Sequence, residues 1–188
     1  AQRYCVHLGT TFEKNRVLHI IDSLKTLVED EIPDHIIKWP QSTSFQPTWE
    51  DHIDIMKEFA VLRPNEARKH LADKFQLEDF STVTLITDLT KGEVRVNGVK
   101  VLEPVTRFRF FNDIEARFEA EARGGNSFDG WRYASNSSAN TISLKFSGDD
   151  TLFANFSSEN AIDEPAVIDE FRLHDNYPNP FNPTTRIK

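Results

Sequence analysis

The sequence predicts an α+β protein: an N-terminal antiparallel helical subdomain, then a small all-β antiparallel module, then an extended C-terminal segment. Three observations predict it. Apolar residues recur at intervals of three and four through residues 1–78, the period of helices with one buried stripe. After Asp79 they alternate with polar residues instead, the period of strands with one dry face. Prolines at 178, 180 and 183 fix φ and push the residues before them toward extended geometry, so the stretch from Phe171 to Lys188 cannot be helical.

The composition narrows the function classes. With 188 residues and 38% hydrophobic content the chain can bury a core. Its net charge is −8, and no segment of the sequence is a basic patch, which argues against nucleic acid and against an anionic membrane surface as partners. A single cysteine, Cys5, can form no internal disulfide. No run is apolar enough to predict a membrane span, and residues 1–30 lack the order of a signal peptide. There is no initiating Met, and both ends are expected to be fragment boundaries.

From Lys14 to Val28, Val17, Ile20, Ile21, Leu24 and Val28 mark an amphipathic helix, with Thr10 and Thr11 as capping candidates. Pro33 suits the first turn of a second helix that carries Ile36, Ile37 and Trp39, so a break is expected near Glu31. Thr48, three residues before Asp51, starts a third helix with Trp49, Ile53, Met56, Phe59 and Ala60 on one face. Pro64 is expected to break it, and Asn65 to Phe75 to restart with Ala67, Leu71 and Phe75 inward. The combined apolar stripe is broad for so few residues and predicts packing against something upstream. The phrases LGTTFEKNRVLHIIDSL, EIPDHIIKW and WEDHIDIMKEFAVLRPNEARKHLADKF resemble the C-terminal end of the CotH kinase family, the spore-coat kinase-like proteins. That resemblance implies an atypical Ser/Thr kinase-like fold whose active site lies nearer the N-terminus than these residues.

Residues 79–158 read as about seven short strands folded over their own core. Ile114, Ala116, Phe118, Ala120 and Ala122 interleave with charged residues, and Asn97-Gly98 between two valine-rich runs is a strong hairpin signal. Gly124-Gly125 and Gly148-Asp149-Asp150 are further turns. GEVRVNGVKV, FRFFNDIEARFEAEARGGNSFDGW and TISLKFSGDDTLFANF together resemble divergent internalin B-repeat-like modules of bacterial surface proteins, departing from the pattern at Gly124-Gly125. The resemblance implies a spacer or weak binder.

Residues 159–170 are acidic, contain Pro165 and read as a linker. In the segment 171–188, Arg172 to Asn176 leads into Asn176, Tyr177, Pro178, Asn179, Pro180, Phe181, Asn182 and Pro183. This wording resembles the opening of the C-terminal sorting domain of the bacterial type IX secretion system. It implies delivery by that machinery across the outer membrane, to the cell surface or medium.

Reactive groupings are sparse. The glycines include no GxGxxG or P-loop, Phe128-Asp129-Gly130 is not the metal-binding Asp-Phe-Gly, and the six histidines form no HExxH. Asp149-Asp150 supplies too few oxygens for calcium, and Cys5 beside Val6 reads as an inert thiol. No catalytic or metal-ligating residue is assigned. The one binding candidate is aromatic: Trp131, Tyr133 and Phe128, with Trp131 and Tyr133 expected on one face, where rings can stack on a glycan or peptide. Exposure of the Trp131 ring decides it. The reading is therefore a non-catalytic C-terminal region of an exported CotH-like protein, giving structural support and secretion targeting. The alternative is an adhesive or glycan- or peptide-binding β module on a degenerate kinase-like scaffold. No cofactor is assigned to this chain, ATP and magnesium being implied for the parent only. The expected partners are an upstream kinase-like domain in the same parent chain, the type IX machinery and a surface glycan or protein.

Overall fold

A computed structural model describes residues 1–39, 48–77 and 79–158. The linker at 159–170 and the proline-rich stretch at 171–188 lie outside the described residues. The fold class is α+β, as the change of period predicts. Among the described residues four α-helices, α1 (Gln2–Gly9), α2 (Lys14–Val28), α3 (Ile32–Lys38) and α4 (Trp49–Phe75), precede eight strands.

Helix α2 has the predicted bounds, but its N-cap is Glu13, whose side chain accepts from Arg16 N at 3.0 Å. Thr10 instead closes α1, its hydroxyl donating to Val6 O at 2.8 Å. The expected break is a 3₁₀ turn at Glu29–Glu31 that leads into α3, with Pro33 in its first turn. Helix α4 opens on the predicted capping box: Asp51 N donates to Thr48 Oγ1, and Thr48 N donates to Asp51 Oδ2. It does not break at Pro64. The helix continues from Trp49 to Phe75 with Pro64 inside it, because losing one rung leaves those on either side intact and burial holds both halves on one line. Its buried seam is Ile53, Ala60 and Ala67, at a spacing of seven, whereas Met56, Phe59 and Phe75 are exposed. The stripe of α2 also stays at the surface, with no residue fully buried. Val17, Leu18, Ile21 and Lys25 are half-buried on the side toward α4.

The strands are β1 (Phe80–Thr87), β2 (Gly92–Val96), β3 (Val99–Lys100), β4 (Val105–Phe111), β5 (Ala116–Ala122), β6 (Asn126–Tyr133), β7 (Thr141–Leu144) and β8 (Asp150–Ser158). They form two four-stranded sheets, ordered β4-β1-β8-β6 and β3-β2-β5-β7. All pairs are antiparallel except β1 with β8, where Val83 sits opposite Asp150 and Leu85 opposite Leu152. That parallel pair departs from the all-antiparallel expectation. It forms because the bend at 145–149 carries the chain from the second sheet back to the first, so β8 enters beside β1 from β1's own starting end. The Gly148-Asp149 bend is thus no hairpin, and the Asp149 carboxylate accepts from Thr82 N at 2.7 Å.

The alternation dictates the core. Val83, Leu85, Phe108, Phe110, Leu152 and Ala154 of one sheet face Val94, Val96, Ala116 and Phe118 of the other, all buried. Between Val96 and Val99, Asn97 and Gly98 have φ of 48° and 77°, the left-handed pair of the predicted hairpin turn. A Cβ at Gly98 would meet no atom within 4 Å, so Gly98→Ala carries the backbone cost alone. We expect a loss of about 1 kcal/mol, read as a lower urea midpoint with an unchanged slope.

Helix α1 belongs spatially to this sandwich. Cys5 and Val6 are fully buried in its core. Strand β4 is a sheet edge, and the Gln2 carboxamide pairs with it as a short strand would. Gln2 Nε2 donates to Phe111 O at 3.0 Å and to Ile114 O at 2.9 Å, and Phe111 N donates to Gln2 Oε1 at 3.0 Å. Both backbone groups of Phe111 on that edge are thereby paired.

Candidate functional site

The aromatic trio does not form a binding platform. Trp131 is fully buried, set edge-on to Phe118 at 6.0 Å and to Phe128 at 5.3 Å between ring centroids. Its indole Nε1 donates to Ala139 O at 2.9 Å, so even its polar edge is satisfied inside the protein. Tyr133 is exposed, against Phe153 at 4.7 Å, and Phe128 leans on Phe156 at 5.3 Å. Strict alternation places Trp131 and Tyr133 on one face. The register shift between Phe128 and Gly130 lies before both rings, bringing Trp131 toward Phe128; what separates Trp131 from Tyr133 is the left-handed backbone of Tyr133 itself, at φ of 74°.

Cys5 is fully buried. Burial raises its thiol pKa, against weaker opposing attraction from Arg68. Among the described residues no group of three His, Cys, Asp or Glu side chains could hold a metal ion.

Charged groups gather in two places that the sequence left unremarked. On the second sheet Glu93, 3% exposed, is a hub for three cations. Lys100 Nζ lies 2.9 Å from Oε2, which also takes Arg123, and Arg95 Nη2 lies 2.7 Å from Oε1, an ion contact without hydrogen-bond alignment. The Lys100 hydrogen bond is the largest cause holding the Glu93 carboxyl below its ordinary range, with the charges of Arg123 and Arg95 behind it. A depressed folded-state pKa gives stability that is present above the ordinary Glu value of about 4.3 and lost as pH falls through the folded value. Because the three cations are half-exposed, Glu93→Gln should cost only about 1–2 kcal/mol at neutral pH. Urea melts should show the gap between variant and parent closing in acid. An equal gap at both pH values would assign the loss to packing instead.

The second place is open. A cleft of about 990 Å³ lies between the α1–α2 corner, α4 and the β1–β4 face. Five cationic side chains line it, Lys14, Arg16, Arg68, Arg107 and Arg109, against the carboxylates of Glu13 and Glu103, so it is cationic on a chain whose net charge is −8. Arg107 and Arg109 stand two apart on β4 and are exposed on its outer face, while Phe108 between them points into the core. Arg68, from α4, is only 9% exposed. Its Nη1 makes long contacts to Pro64 O (3.3 Å) and Asn65 Oδ1 (3.5 Å), and its buried Nε has no partner. Burial pushes the proton affinity of this guanidinium down, opposed by Cys5 and reinforced more weakly by the charge of Arg109. Among the described residues none of the five cations is ion-paired with a carboxylate. Elsewhere on the surface a shallower notch of about 470 Å³, including Ile32, Pro33, Ile36 and Ile37, opens between α2, α3 and the start of α4.

No family model matches the chain, and searches of curated proteins and of solved structures likewise find no match.

Proposed function

We propose that the chain is the non-catalytic C-terminal region of an exported, cell-surface or secreted CotH-like protein. In this reading the helical layer supports a kinase-like domain upstream in the same parent chain, and the β module is a spacer. The stretch Asn176 to Pro183 is the address for type IX secretion. The observation that supports the supporting role is the apolar surface of the helices. Leu24, Leu27, Ile37, Phe59 and Leu62 are each more than half exposed, an apolar face of the kind that marks a protein contact. The β module beside it buries its apolar residues in an ordinary two-sheet core. The resemblance of the helical sequence to the CotH kinase family supplies the identity of the partner. The adhesive alternative loses its central ring with the burial of Trp131.

The experiment is fractionation of a bacterium equipped for type IX secretion that produces the parent protein. One strain carries the parent unchanged and a second carries Tyr177→Ala with Phe181→Ala. The unchanged protein should reach the surface or medium and the variant should accumulate in the periplasm. Identical distributions would sink the sorting role. The supporting role is read separately, as protection of Leu24, Leu27 and Phe59 from surface labelling in the parent relative to residues 1–188 alone.

A further inference from the structure

We propose that the cleft between the α1–α2 corner, α4 and the β1–β4 face binds a small polyanion carrying phosphate or carboxylate groups, with Arg68 as its buried anchor. Arg68 carries the inference. A guanidinium taken out of water without a counter-charge is costly, and a buried N–H donor without an acceptor adds to that cost. Arg68 shows both features: it is 9% exposed, its Nε is unpartnered, and no carboxylate reaches it among the described residues. Glu93 supplies the internal comparison. There a buried charge is met by three partners of opposite sign, while Arg68 lines a cavity whose other charged walls are mostly of its own sign. An oxyanion in the cleft that Arg68 lines would supply the missing counter-charge.

The geometry also limits the ligand. Arg107 and Arg109 rise from the sheet wall, Lys14 and Arg16 from the start of α2, and Arg68 from α4. Cations on three walls suit a molecule with more than one anionic group. A volume of about 990 Å³ admits something the size of an ordinary metabolite. Guanidinium forks match phosphate and carboxylate oxygens in paired hydrogen bonds, so both sources share one chemistry. One oxygen of the Glu13 carboxylate caps α2 by accepting from Arg16 N, and the five cations of the lining outnumber its two carboxylates.

Isothermal titration of the 188-residue chain at low ionic strength, with pyrophosphate in one arm and citrate in the other, tests the proposal. One ligand per chain is expected, weakening with added salt as exposed charge pairs do. The tighter arm assigns phosphate or carboxylate. Arg68→Gln should weaken binding roughly tenfold or more, since it removes charge-assisted hydrogen bonds. Arg107→Gln, an exposed change that leaves the core alone, should weaken it by a smaller factor and keeps the test valid if Arg68→Gln fails to fold. Arg117→Gln, whose guanidinium pairs with Glu119 on the other sheet, should leave binding unchanged. Failure of both probes to bind would overturn the proposal, as would equal losses for Arg107→Gln and Arg117→Gln.

Discussion

Trp131→Ala is expected to lower stability by about 3–5 kcal/mol, the range for emptying a large aromatic site in a packed core. The ring is fully buried and touches Phe118 and Phe128, so its removal leaves a void bounded by aromatic rings that cannot collapse into it without leaving their own contacts. The Ala139 carbonyl also loses the indole donor. Denaturant unfolding followed by far-UV circular dichroism measures this. A loss below about 1 kcal/mol would place the indole at the surface, returning Trp131 to the pool of ligand-stacking residues.

Gly130→Ala should cost roughly 2–4 kcal/mol, combining a backbone conformation that side chains avoid with a steric conflict. At φ of 118° a Cβ would sit 2.6 Å from Ser137 O and 3.2 Å from Ser138 Cα, and neither is the yielding end of a side chain. The same Ser137 carbonyl accepts from Trp131 N at 2.7 Å. A displaced 134–140 loop would therefore also release the Trp131 backbone and the Ala139 acceptor. The double variant Gly130→Ala with Trp131→Ala should consequently lose less than the two single losses combined, as residues sharing partners do. Strict additivity in a double-mutant cycle would show the loop and the ring to be independent.

These two positions also mark where linear reading stops. Alternation puts Trp131 and Tyr133 on one face, but the shift between Phe128 and Gly130 resets the phase of the residues after it, and one inserted residue is invisible to a period-two pattern. Pro64 by itself predicts a helix end, because a proline interior to a helix loses a hydrogen bond. Burial of Ala60 and Ala67 on either side outweighs that local cost. The period assigns residues 1–78 to one helical half, whereas the place of α1 against β4 is decided by the Gln2 pairing at the sheet edge, more than a hundred residues away in sequence.

By itself the sequence determined the α+β class, the bounds of α2, the Thr48–Asp51 capping box, the Asn97-Gly98 turn and nearly all of the alternating core, because each depends on neighbours within a few residues. Only the tertiary structure decided which aromatic ring is hidden and where charge gathers. The cationic cleft draws Lys14 and Arg16 from one segment, Arg68 from another and Arg107 and Arg109 from a third, in a chain with no basic stretch. A local electrostatic potential is a sum over distances in space, and those distances are set by the fold, not by the spacing of residues along the chain.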